Sequence, residues 1–404
     1  MKKIIFFIRS IFDKRDYKRF GIEILNNRGF DVEIWDFTPM FRKEYHKKYT
    51  PSDWFNSDLV VSIDSKEKFF MRVNNLKGKE IILDLYPGER AEDGFMYDAL
   101  RKHNIHYGIN LLWSQPRLSK LSVLKMYVAA YCPYKILELV IKKLIRVIRA
   151  KLSVIEQLTA AEKKTEERIP DFALCGGKKD IDYERISVNK TNLILSHALD
   201  YDLFLNEESD PSGRTNKDYA LFIDQHLYYH PDIYGKNYRT GYMTNYADWY
   251  YNAINKFFTK IEHDLKLEII IASHPRANSN NFEGREVVRG NTIQLIKFSK
   301  LVLAHYSSAL NFAVLYKKPV IFISSKSSKF SKHYQVWTKK TAEELGYIPI
   351  DFEKKYNKAV QIPTMSEEKY NTYKENYIKM NGTPEKSTWE IFADYCENSS
   401  IGNN

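Results

Sequence analysis

Short, nearly unbroken apolar runs recur along this chain, each followed by a more polar, amphipathic stretch, and that alternation constrains the fold more than any other feature. IIFFI (4–8), DVEIWDF (31–37), DLVVSI (58–63), EIILDLY (80–86) and HYGINLL (106–112) occupy the first 112 residues. Such runs are covered on both faces rather than alternating in and out, which is the condition of a parallel sheet flanked by helices. The stretch 14–28, closed by Arg28-Gly29, reads as the helix after the first strand. DFALCGG (171–177) and NLILSHALDYDLFL (192–205) read as the last strands of this unit.

A second block repeats the pattern. KDYALFIDQ (217–225) is followed by a helix near 245–263, LEIIIAS (267–273), a short EVV (286–288), a helix near 291–299, LVLA (301–304), a helix over 308–316 and PVIFI (319–323). The polar, turn-rich segment 206–216 separates the blocks. Helices near 366–380 and 385–397 close the chain. A length of 404 residues exceeds one ordinary core and suits two. The expected fold class is α/β, with two Rossmann-like domains whose parallel sheets face a central cleft. These are residues 1–210 and 217–385, followed by a C-terminal helix and tail, 386–404.

Composition removes several classes. Apolar residues make up 44% and charged residues 28%, a globular balance. Three cysteines, Cys132, Cys175 and Cys396, stand far apart with no CxxC pair, which argues against a zinc ribbon or disulfide scaffold and fits a reducing cytoplasm. The opening MKKIIFFIRS reads as a buried strand rather than a secretory leader. No run reaches the roughly 18–20 uncharged apolar residues that span a bilayer. No GxGxxG follows the first strand, so a dinucleotide cofactor is not expected. The net charge of +11 suits nucleic acid, an anionic membrane or an anionic substrate.

Residues 117–170 read as long basic helices inserted in the first domain. Between Arg117 and Lys151 there are nine Lys or Arg and one acid, Glu138, with Ile136, Leu139, Val140, Leu144, Val147 and Ile148 at helical spacing. Interleaved cations and aliphatics favour an amphipathic helix lying on an anionic membrane, over a packed coiled pair. With no nucleic-acid-binding module in evidence, nucleic acid is not the expected partner.

The chemistry-bearing residues concentrate at strand ends of the second block. IIIASHPR (269–276) puts His274, Pro275 and Arg276 just after a buried strand, and LVLAHYSSALNFAVLYKKPVIFI (301–323) is strand, Ser-Ser turn, helix, strand. Ligands of open α/β sheets bind outside the carboxyl ends of strands. A helix starting at Ser307-Ser308 would offer N–H groups and hydroxyls to a phosphate, with His274 as another donor. Either serine alone would read as an N-cap; two donor sets in neighbouring βα units point to a site. Asp224 and Gln225 end the first strand of the block, and Asp224 is the candidate general base, with a capping role as its plainer alternative. His226, His230 and Asp232 have the composition of a metal site without a recognised ligand spacing, so no metal is expected. The triplets Asp180-Ile-Asp182 and Asp200-Tyr-Asp202 are discounted as chance pairs. In the first domain, RSIFDKRDYKRFG (9–21) follows the first strand; Arg9, Asp13, Arg15 and Asp16 are the acceptor-side candidates.

The strand-His-Pro pattern at His274-Pro275, followed by strand-Ser-Ser-helix at Ser307-Ser308, resembles the bacterial sialyltransferases and related nonulosonate and Kdo transferases of GT-B fold. The resemblance covers roughly 217–325. It implies that His274, Ser307 and Ser308 bind the phosphate of a CMP-linked acidic sugar, without a metal or other cofactor, and that the final helix returns to the first domain. It further implies an inverting glycosyltransferase of surface-polysaccharide synthesis, transferring that sugar to a glycan or lipid-linked acceptor at the cytoplasmic face of the inner membrane. The family's acidic-acidic-Gly motif is replaced here by Asp224-Gln225, which leaves open an NDP-hexose donor or a non-catalytic GT-B-like module.

Overall fold

The computed structural model describes residues 2–48, 55, 57–87, 93–112, 115–116, 169–182, 186–187, 189–207, 217–229, 245–274, 277 and 281–399. The basic segment 117–151 expected to meet a membrane lies outside the described residues, as do Pro275, Arg276, His230 and Asp232.

Seven strands form the first sheet: β1 (Lys3–Ile8), β2 (Asp31–Asp36), β3 (Val60–Ser62), β4 (Ile81–Asp84), β5 (His106–Asn110), β6 (Phe172–Cys175) and β7 (Asn192–Leu195). Their order is β3-β2-β1-β4-β5-β6-β7, and every pairing is parallel. Six strands form the second: β8 (Tyr219–Ile223), β9 (Glu268–Ser273), β10 (Val287–Arg289), β11 (Leu301–Ala304), β12 (Val320–Ser324) and β13 (Ile350–Asp351). Their order is β10-β9-β8-β11-β12-β13, again all parallel. The α/β architecture with two parallel sheets expected from the apolar runs is thus the architecture observed, and it agrees with the GT-B-like layout that the resemblance implies. Central strands are buried throughout, as β4, β6, β8 and β11 show, because helices cover both faces.

Local chemistry explains where helices differ from expectation. The helix expected over 14–28 is two, Lys14–Arg19 and Ile22–Asn27, broken at Gly21, whose φ of +58° suits glycine. A Cβ at Gly21 would lie 2.1 Å from Cγ of Trp389. LDYDLFL is not strand but helix, Leu199–Leu205, with Asp200 and Asp202 in its first turn, where carboxylates suit the positive helix end.

The closing helix, Thr388–Asn398, starts at a capping box formed by Ser387 and Glu390. It does not stay with the second sheet. Trp389, Phe392 and Cys396 pack among Ile4, Phe6, Phe20 and Phe172 of the first domain. Trp389 Nε1 donates to the Arg19 carbonyl at 2.7 Å, and Lys2 donates to the carbonyls of Cys396 and Ser399. Among the described residues, no helix is long and apolar enough to cross a membrane.

Candidate functional site

Strand order in the second sheet reverses between β8 and β11: β9 and β10 extend to one side, β12 and β13 to the other. At such a switch point the loops leaving two adjacent strands diverge and open a crevice. A cavity of about 350 Å3 lies there, within the size range of small-molecule sites. Its walls include Asp224 and Gln225 after β8, His274 after β9, Ser307 and Ser308 after β11, and Arg15 from the first domain. Four of the residues expected to bind the donor, the candidate base Asp224 and one acceptor-side candidate therefore line the same space.

Asp224 is only 5% exposed. Its Oδ1 accepts the His226 N–H at 2.9 Å, an Asx turn that ends the strand and carries His226 into a left-handed conformation, φ +52°. Burial pushes the Asp224 carboxyl up to about 6, against the opposing pull of the His226 and His274 backbone N–H groups. A carboxyl of that strength is mostly ionised at pH 7 yet readily accepts a proton, which is the character of a general base. The capping geometry and the cavity-facing position coexist in one residue.

Around it, the anion-suited groups come from separate elements. The helix after β11 begins at Leu310, not Ser307-Ser308: the preceding residues form tight turns, with Leu310 N–H bonded to the Ser307 carbonyl and Asn311 N–H to that of Ser308. Ser307 takes the capping role, its Oγ accepting the Ala309 N–H at 3.3 Å, while its hydroxyl hydrogen remains a donor. Ser308 is exposed on the cavity wall. Gln225 proves to be partly a strut, since its Oε1 accepts the Tyr306 N–H at 3.2 Å and ties the β8 loop to the β11 loop.

The acceptor-side candidates separate into two kinds. Arg15 reaches the cavity and lies 4.0 Å from Asp13 and 3.8 Å from Asp16. Asp13 caps the helix Lys14–Arg19 by accepting the Asp16 N–H at 2.8 Å. Arg9 is instead a mostly buried strut of the first domain, bidentate to Asp84 and 3.3 Å from Asp93. Those carboxylates hold its guanidinium charged despite burial. The discounted triplets serve structure. Asp180 accepts the N–H groups of Gly176 and Gly177, Asp200 accepts from Asn311 and Asp202 from the Thr388 N–H. Among the described residues, no group of three His, Cys, Asp or Glu is arranged to hold a metal.

Sequence reading missed Tyr306, Tyr334, Thr292 and Phe312, which also line the cavity. Tyr306 adjoins the Ser-Ser turn and was within reach of the motif. Tyr334 belongs to the helix Lys332–Glu344, whose few apolar positions give no clear stripe.

No protein-family model matches the chain, and no curated protein matches it. Solved structures are similar over nearly its whole length. The UDP-GlcNAc 2-epimerase of Methanocaldococcus jannaschii is 13% identical with a TM-score of 0.47, covering 98% of this chain and 99% of its own. The wall teichoic acid polymerase TagF is 11% identical with a TM-score of 0.47, covering 98% and 88%. The UDP-GlcNAc 2-epimerase of Neisseria meningitidis bound to UDP-GlcNAc is 10% identical with a TM-score of 0.44, covering 98% and 100%.

Proposed function

We propose that the protein is a nucleotide-sugar-dependent glycosyltransferase of surface-polysaccharide synthesis, acting with inversion on a glycan or lipid-linked acceptor. One observation supports this reading above the rest. A buried carboxyl poised near pH 6 and a set of anion-suited donors from two other strand ends converge on a single cavity, with an arginine of the other domain on its wall. In the proposed reaction, Asp224 takes the proton of the acceptor hydroxyl as that oxygen attacks the anomeric carbon. The bond from that carbon to the phosphate oxygen breaks, and His274, Ser307 and Ser308 meet the charge left on the nucleotide. Because these groups meet the phosphate charge in the bound donor as well as in the transition state, they contribute chiefly to donor binding.

The His-Pro and Ser-Ser pattern favours a CMP-activated acidic sugar as donor. Gln225 where the acidic-acidic-Gly motif would continue, with its side-chain oxygen committed to Tyr306, favours an NDP-hexose as the second reading. Thermal-shift titration with CMP, CDP, UDP and GDP separates them, because a ligand that binds only the folded state raises apparent stability by mass action. His274→Ala and Ser308→Ala should each weaken the preferred nucleotide about ten- to a hundredfold, the loss of one hydrogen bond to a charged group. Binding without any sugar transfer would leave a nucleotide-binding module, and no nucleotide binding at all would remove the proposal.

A further inference from the structure

The turn that carries Ser307 and Ser308 is anchored from beneath by residues set back from the cavity. His305 directly follows β11 and is fully buried. Its Nδ1 lies 2.6 Å from the Ile323 carbonyl oxygen and its Nε2 lies 2.8 Å from the Tyr250 hydroxyl. A carbonyl oxygen only accepts, so Nδ1 carries the ring hydrogen and Nε2 accepts the Tyr250 O–H. The rings of Phe330, Phe222 and Phe352 surround the imidazole at 5.2, 5.9 and 6.1 Å. Burial pushes its pKa down to about 4, so it stays neutral near pH 7. The next residue is tied from the other side by the Tyr306 N–H bond to Gln225. Two consecutive residues are thus fixed immediately before the serine pair.

Tyr250 itself is 1% exposed on the helix Ala247–Leu265. Its ring packs against Tyr228, Tyr251 and Phe352 at 4.9, 5.1 and 5.9 Å, contacts that phenylalanine would make equally well. A buried hydroxyl and a buried imidazole each require a partner, whereas an apolar pair in their place would leave the core nearly unaffected. The polar pair therefore adds orientation of the β11 turn rather than core packing.

We propose that Tyr250, acting through His305, is a positioning residue for the Ser307–Ser308 turn and thereby sets affinity for the anionic part of the donor. The inference rests on the nucleotide-sugar reading above. Its test is a thermodynamic cycle, with CMP, CDP, UDP and GDP titrated calorimetrically into each folded variant. Tyr250→Phe should bind the preferred nucleotide about three- to tenfold more weakly, the worth of one neutral hydrogen bond. In a Ser307→Ala/Ser308→Ala background the same substitution should cost less than about twofold, because residues acting through a shared partner are not additive. Donor KM should rise while kcat at saturating donor holds. His305→Asn, which keeps a donor for Ile323 but withdraws the acceptor from Tyr250, should reproduce Tyr250→Phe and replaces it in the cycle if that variant fails to fold. Wild-type affinity in Tyr250→Phe, an equal loss in the serine-free background, or a fall in kcat alone overturns the proposal and leaves the function standing. Wild-type protein that binds no nucleotide overturns both.

Discussion

Replacing Asp224 by asparagine should lower turnover and raise stability together, and the structure sets the size of the second effect. The carboxyl titrates near 6 in the folded chain against an ordinary 3.8. Two pH units correspond to about 3 kcal/mol, at about 1.36 kcal/mol per unit. Because the folded pKa lies above the unfolded one, the folded state binds the extra proton between about pH 4 and pH 6. Stability contributed by the neutral carboxyl is therefore present below pH 4, is lost as pH rises through 6, and stays lost above it. Asparagine stands in for the neutral acid at every pH. Chemical denaturation of wild type and Asp224→Asn should give similar stabilities near pH 4 and a gap approaching 3 kcal/mol in favour of the variant near pH 8. Turnover should fall by about 10²–10⁴ if the carboxylate is the base, with nucleotide affinity little changed. Wild-type kcat/KM should in turn decline below pH 6 as the carboxylate fills. A pH-independent stability difference would refute the buried-carboxyl reasoning. Near-normal turnover would refute the base assignment and turn attention to Asp13 and Asp16.

Trp389→Ala removes a large buried side chain that fills the space over Gly21 and bonds the Arg19 carbonyl; it should cost about 3–5 kcal/mol, read as an early urea transition, and a loss under about 1 kcal/mol would show the closing helix to be dispensable. If residues 117–151 form the expected membrane-surface helices, the protein should co-sediment with anionic but not neutral vesicles and be released by salt, at about 1 kcal/mol for each Lys or Arg reaching the surface. Glutamine at Lys142, Lys143, Arg146 and Arg149 should abolish that; no sedimentation of wild type at low salt would assign the charge to the acceptor instead.

The parallel sheets were legible because burial on both faces leaves a local mark: YALFI (219–223) is apolar at every position, and every position is buried. The strand ends were legible for the same reason, since a polar residue that stops such a run must lie at the sheet's carboxyl edge, where Asp224 and His274 are found. What escaped depends on distant partners. The alternation of Leu199, Tyr201 and Leu203 with Asp200 and Asp202 has the period of a half-buried strand, and it hid the helix Leu199–Leu205. Helix Lys332–Glu344 offers few apolar positions, and with it went Tyr334. Arg9, set beside Arg15 in a basic run, gave no sign that Asp84 and Asp93 neutralise it. The bond between Tyr250 and His305 spans 55 positions, and neither residue stands out locally: one is a tyrosine among 29, the other a histidine next to a motif.

The docking of Thr388–Asn398 on the first sheet bears on how the protein is made. The last strand of that sheet, β7, ends at Leu195, so the hydrophobic seat beside Phe6, Phe20 and Phe172 is synthesised well before the helix that covers it. At about 5–20 residues per second, roughly ten to forty seconds separate the two. During that interval the nascent N-terminal half carries an open apolar groove, a place where a chaperone or a neighbouring chain can bind. The second domain has to be translated before that face of the first is sealed, which makes the helix Thr388–Asn398 a late-closing clasp: a chain cut short in the second half keeps this one face of its first sheet uncovered.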